Sequence, residues 1–179
     1  MMPFEIVTEL FTIATEPWGN SSWYHAGPPT RPSLERIKGE LGVSIPEDFV
    51  RLAKACPSYG GWLAGIGRDY KRFVHILNLN KAFHTVDDGP SLPRHLVLLN
   101  HGHDGDCDCW DTRQVTKSGE PCIVYVNLES PKPVPSQSRF DSFRDYIEHF
   151  VLRHAPRAPH IEQRRRVELL IRNSSKFKP

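Results

Sequence analysis

A chain of 179 residues with 39% apolar and 25% charged side chains has the size and balance of a folded domain with a buried core. It holds no run of about 18 apolar residues of the kind that spans a bilayer. Its four cysteines are too few for a disulfide scaffold at this length and are read as reduced thiols, which implies a cytoplasmic location. The formal charge of +2 hides an asymmetry: residues 153–179 carry eight Lys/Arg against two Glu, so residues 1–152 hold a net −4. An acidic body steers basic partners towards itself. The opening MMPFEIVTELF lacks a basic n-region, and Glu5 and Glu9 interrupt its apolar run, so no secretory leader is expected.

In chain order, residues 4–14 fit a helix or a strand equally well. Residues 15–32 are loop by composition, and Trp18, Trp23 and Tyr24 within it are expected to plug the loop onto the body. Ser33 opens an amphipathic helix with Leu34, Ile37 and Leu41 on one stripe, ended by Gly42. A second helix starts at Pro46 in its first turn, where a missing N–H is no loss. Glu47 and Asp48 complement its dipole, Phe49, Leu52 and Ala53 form its buried stripe, and Pro57 stops it. Tyr59-Gly60-Gly61-Trp62 reads as a turn in which the glycines supply positive φ. Strands are expected over 72–79, 95–100, 106–112 and 122–128, with residues 113–121 joining two antiparallel strands. After a loop marked by Pro131, Pro133 and Pro135, Ser138 precedes a helix, with Asp141 three residues on as a capping box. Its stripe is Phe140, Phe143, Ile147, Phe150 and Val151. Residues 155–160 read as a linker and 161–172 as one more basic helix. The expectation is α+β: a central, mostly antiparallel sheet flanked by N-terminal and C-terminal helices, with one face open to solvent. The domain spans residues 1–152, and 153–179 form a basic tail.

Four features in this order resemble the SUKH superfamily, which holds immunity proteins of bacterial toxin systems and fungal cell-wall-synthesis regulators. They are the helix pair LERIKGELGVSIPEDFVRL at 34–52, like E-x-x-L-G-x-x-L-P-x-D-F; the Gly60-Gly61 turn; HGHDGDCDCWDT at 101–112, like the family's Gly-Asp strand; and SRFDSFRDYIEHF at 138–150, like its closing S-F-x-x-F helix. The resemblance covers roughly residues 30–152, and Pro46, Phe49, Gly60, Gly61, Gly105 and Phe143 are its structural positions. The aromatic loop and the basic tail fall outside it, and Cys107 and Cys109 replace more typical apolar residues. It implies a sheet flanked by helices, no cofactor, no catalysis, and a protein that neutralises a toxin, often a nuclease. An acidic body suits that role, because domains that grip phosphates tend to be basic.

On a strand, Asp104, Asp106, Asp108 and Trp110 share one face, and Cys107, Cys109 and Asp111 the other. Three like charges on one face are relieved by a cationic counterpart. That face is therefore expected to be exposed and, with Asp111, Tyr59 and Trp62, to bind a basic toxin, Trp62 and Trp110 serving as aromatic anchors. The alternative is that Asp104 and Asp106 merely build turns by hydrogen bonding to the backbone. An alternative function is a regulatory scaffold of the same superfamily. Another is a small metal-dependent hydrolase using His101, His103, Asp104, Asp106, Cys107, Cys109 and Asp111, completed by His75, His95 or Cys122. Alternate strand residues diverge, H-x-H-D has no second His after it, and no H-E-x-x-H occurs, so no metal is expected. A Cys107 or Cys122 nucleophile paired with His101 is weaker still, because buried thiols are usually inert. Arg164-Arg165-Arg166 beside Val167, Leu169, Leu170 and Ile171 leaves open a nucleic-acid or protein contact by the tail. The body has no nucleic-acid fold.

Overall fold

The computed structural model describes residues 1–15, 30–56, 77, 80–85, 91–101, 106–128, 139–158 and 160–174; of residues 33, 53, 101, 106 and 139 it describes the backbone. Residues Phe4–Thr15 form helix α1. Its β-branched residues made the sequence ambiguous, but Val7, Leu10, Phe11 and Ala14 fall on one helical face and are buried. The threonines satisfy themselves along the helix: Thr8, Thr12 and Thr15 donate to the carbonyls of Phe4, Thr8 and Phe11 at 2.9, 3.0 and 2.8 Å.

Helix α2 spans Arg31–Leu41 and ends at Gly42, whose φ of +69° suits glycine. Helix α3 spans Glu47–Ala55, with Pro46 at its N-cap, one position before the expected first turn. The strand expected over 72–79 fails at Leu77, which is helical and buried, and a short helical stretch follows at 80–84, with Asn80 buried; the rest of 72–79 lies outside the described residues. An eight-residue apolar run does not carry enough periods to separate the two structures.

The sheet is an antiparallel meander in the order β1 (Leu96–His101), β2 (Asp106–Val115), β3 (Pro121–Asn127) and β4 (Arg139–Phe140). Phe140 thus lies on a two-residue strand instead of in a helix. Helix α4 then spans Phe143–His154, and its N-cap is Ser142, four residues later than Ser138. Ser142 Oγ accepts from the Asp145 N–H at 3.0 Å and donates to the Asp145 carboxylate at 2.7 Å. The same Ser-x-x-Asp spacing recurs at both positions, and pairing of Ile123 with Phe140 on the sheet selects the second. A 3₁₀ turn, Ala155–Arg157, leads to helix α5, Ile161–Ser174.

Both faces of the sheet are covered, which corrects the expectation of a solvent-facing side. Val97, Leu99, Trp110 and Ile123 join the main core with α1, α3 and α4. Leu96, Leu98, Cys107, Cys109, Val124 and Val126 form a second core with Leu92, and Phe83 packs against it. Two apolar faces on one sheet need two covering layers, since neither can be left in water. The main core is aromatic at its centre: the Phe49 ring lies 5.9 Å from Trp110 and 5.0 Å from Phe143. Helix α5 is tied to this body by Val167, fully buried, and by an Arg166–Glu9 ion pair to α1.

Candidate functional site

Strand β2 carries the acidic row, and its neighbours decide what each carboxylate does. At one end, His101 pairs with Cys107 and Asp106 with Asn127, so residues 102–105 connect β1 to β2 at this end of the sheet. His103, Asp104 and Gly105 belong to that connection and, like Tyr59, Gly60, Gly61 and Trp62 elsewhere in the chain, lie outside the described residues. Asp106 is described as the first residue of β2.

Asp108 is half-buried and engaged by neighbouring side chains, not freely exposed as expected. It accepts from the Tyr146 hydroxyl of α4 at 2.8 Å and from the Asn100 amide at 3.4 Å. A bulge between Leu98 and Asn100 makes this possible. The extra residue in β1 places Leu99 in the helix-side core and sets Asn100 directly across from Asp108. Tyr146 is 5% exposed. Burial, and then the charge and hydrogen bond of Asp108, push its phenol well above the ordinary range, so it stays a donor. Sequence reasoning missed Tyr146, although it stands three residues after Phe143 on the same buried stripe.

Trp110 corrects the expectation most sharply. It is fully buried against Phe49, so it is a core residue and not an exposed anchor. Alternation placed it correctly on the Asp108 face; that face is the one the helices cover. Asp111 is also buried. Between Asp111 and Val115 the β2–β3 register slips, and the Asp111 carboxylate staples the slip by accepting from Arg113 N–H at 3.0 Å and from the Gln114 amide at 2.8 Å. Burial alone would raise this carboxyl, but these bonds and the Arg113 charge outweigh it and hold the group below its ordinary 3.8. Its folded pKa is depressed, so its contribution to stability is complete above the unfolded value and is lost as pH falls through the folded one. Asp111→Asn is accordingly expected to flatten the fall in urea midpoint between about pH 5 and about pH 2 relative to the parent chain.

The thiols lie on the other side. Cys107, Cys109 and Cys122 are buried, and burial drives the Cys109 thiol well above its ordinary value, with smaller increments from Cys107 and Asp108. Such a thiol is neither a good nucleophile nor a ready metal ligand. Among the described residues no group of three or more His, Cys, Asp or Glu is placed to hold a metal ion.

The open edge of β1 is closed by side chains that sequence reasoning did not single out. Asn80 accepts from the Leu98 N–H at 2.6 Å and donates to the Leu98 carbonyl at 3.3 Å, and His84 Nε2 lies 2.9 Å from the Leu96 carbonyl. One amide thus supplies what a neighbouring strand would. Asn80 follows LNL, and an Asn at the end of an apolar run is the signal that was available.

This is an α+β architecture in which a meander sheet is held along its β1 edge by Asn80 and His84 and carries a core on each face. Residues 28–149 match the profile of the SMI1 / KNR4 family (SUKH-1), and the chain belongs to that family. A comparison with curated proteins found no match. Among the described residues no helix is long and apolar enough to cross a membrane.

Proposed function

We propose that this is a cytoplasmic immunity-type protein that acts by binding and occluding a cognate toxin with a basic surface, of nuclease type, and not by catalysis. Membership of the SUKH-1 family supports a binding role. The net −4 of residues 1–152 supports a cationic partner. The observation that carries the choice of surface is the division of labour along β2. Asp108 and Asp111 are occupied by Tyr146, Asn100, Arg113 and Gln114, whereas Asp104 and Asp106 belong to the β1–β2 connection and the first position after it. The docking patch is therefore narrower than the whole aspartate row: Asp104 and Asp106, with Tyr59 and Trp62 as its aromatic part. Asp108 is a positioning residue that ties the start of β2 to α4.

Support for a role without chemistry comes from the same strand. Its described thiols are buried and its described carboxylates are engaged. The test is isothermal titration against the toxin encoded next to this gene. Reversing both charges, Asp104→Lys with Asp106→Lys, is expected to weaken binding about 10- to 100-fold with an unchanged unfolding midpoint. Unaltered affinity rejects this patch. Failure of the parent chain to bind the neighbouring product rejects the toxin reading and favours a regulatory scaffold of the same family.

A further inference from the structure

Helix α5 lies beyond the family-matched residues and has two different faces. Val167 is fully buried, with Leu170 and Ile171 packed beside it against the core. The opposite face runs Ile161, Arg165, Leu169 and Arg172, at helical spacings of four, four and three. Ile161 is 59% exposed and Leu169 57%. Single apolar residues at a surface are ordinary. Two of them about 12 Å apart along one stripe, with an arginine between them, form a repeating pattern that fits another helix. Arg164 and Glu168 flank the stripe, and among the described residues neither Arg165 nor Glu168 makes an ion pair within the chain.

We infer that this face packs against the same helix of a second copy of the chain, antiparallel about a two-fold axis. The charge pattern selects the register. Setting Arg165 opposite Glu168 of the second copy also sets Leu169 opposite Arg164 and Ile161 opposite Arg172. Each apolar side chain then lies on the aliphatic stem of an arginine, and the two-fold axis makes each contact twice. A polyphosphate fits this face poorly, because Glu162 and Glu168 stand among its arginines. A bilayer fits poorly too, because the fully apolar face of the helix is used by the core. One helix face of 14 residues is a small interface, so the dimer is weak and reversible.

Sedimentation equilibrium of the full chain tests this over a concentration series from about 10 μM to about 1 mM. The mean mass is expected to rise towards the dimer, and Leu169→Asp to remove that rise. R165E alone and E168R alone should each weaken the dimer at least about 10-fold, because like charges then face each other across the axis. Mixing the two variants should restore association, since each supplies the charge that the other lacks. Helix content by circular dichroism should stay unchanged throughout. A chain that remains monomeric across the series overturns the proposal, as does a mixture no better associated than its components. Sedimentation of the monomer with phosphatidylserine vesicles instead overturns it in favour of a lipid surface.

Discussion

Replacing Arg144 with alanine is expected to destabilise the protein by about 3–5 kcal/mol, the range for breaking a buried charge pair by removing one partner. Arg144 is 7% exposed, and its guanidinium serves three elements at once. It donates to Glu148 at 2.8 Å within α4 and to the Met2 carbonyl ahead of α1, and it stands 4.0 Å from Asp48 on α3. Its plane also lies over the Phe4 ring, 4.9 Å from the centroid. The Met2 N–H in turn donates to Glu148 at 3.0 Å. Removing the arginine leaves a carbonyl without its donor and a largely buried carboxylate without its counter-charge, beyond the loss of attraction itself. Arg144→Lys keeps the charge but offers a compact ammonium in place of a fork, so it should recover part of the loss and not all of it. Chemical denaturation of the three proteins measures this. An alanine variant within about 1 kcal/mol of the parent would remove Arg144 from the set of residues that join the helices.

The second large effect is expected at Asn80. Asn80→Ala deprives both the N–H and the C=O of Leu98 of their partner at a residue with no solvent exposure. Each unsatisfied buried group costs about 1–3 kcal/mol, so a loss of about 2–6 kcal/mol is expected from the pair. Asn80→Asp separates this reading from simple loss of packing. An aspartate keeps the shape and the acceptor, but its second oxygen faces the Leu98 carbonyl unless it is protonated. The folded state of that variant therefore binds a proton more readily than the unfolded state, and its deficit relative to the parent should shrink as pH falls. A deficit independent of pH would refute the hydrogen-bond account. A freed β1 edge should also raise the tendency to aggregate, readable by light scattering at neutral pH.

These residues show where sequence reading ran out. The helix pair at α2 and α3 was legible because its apolar spacing, acidic first turn and terminal glycine all agree. The family was legible because four loose motifs occur in order. Strand alternation correctly sorted Asp108 and Trp110 onto one face and the cysteines onto the other. It does not say which face water reaches, and two covering layers reversed the expected exposure. The charge of the aspartate row suggested solvent, yet Asp108 is held by a hydroxyl 38 residues away in sequence. Local patterns carry no information about such a partner. Ser138 and Ser142 offered the same capping pattern, and a long-range strand pair decided between them. Asn80 and Arg144 were invisible for a related reason: their roles are set by backbone groups of other elements, which the sequence does not write in letters.

The doubled covering of the sheet has an evolutionary consequence. A change of side-chain volume on either flat side disturbs a packed stratum, Trp110 and Ile123 on one and Cys109 and Val124 on the other. Sequence drift in these strands is therefore confined to exchanges that conserve volume on both flat sides at once.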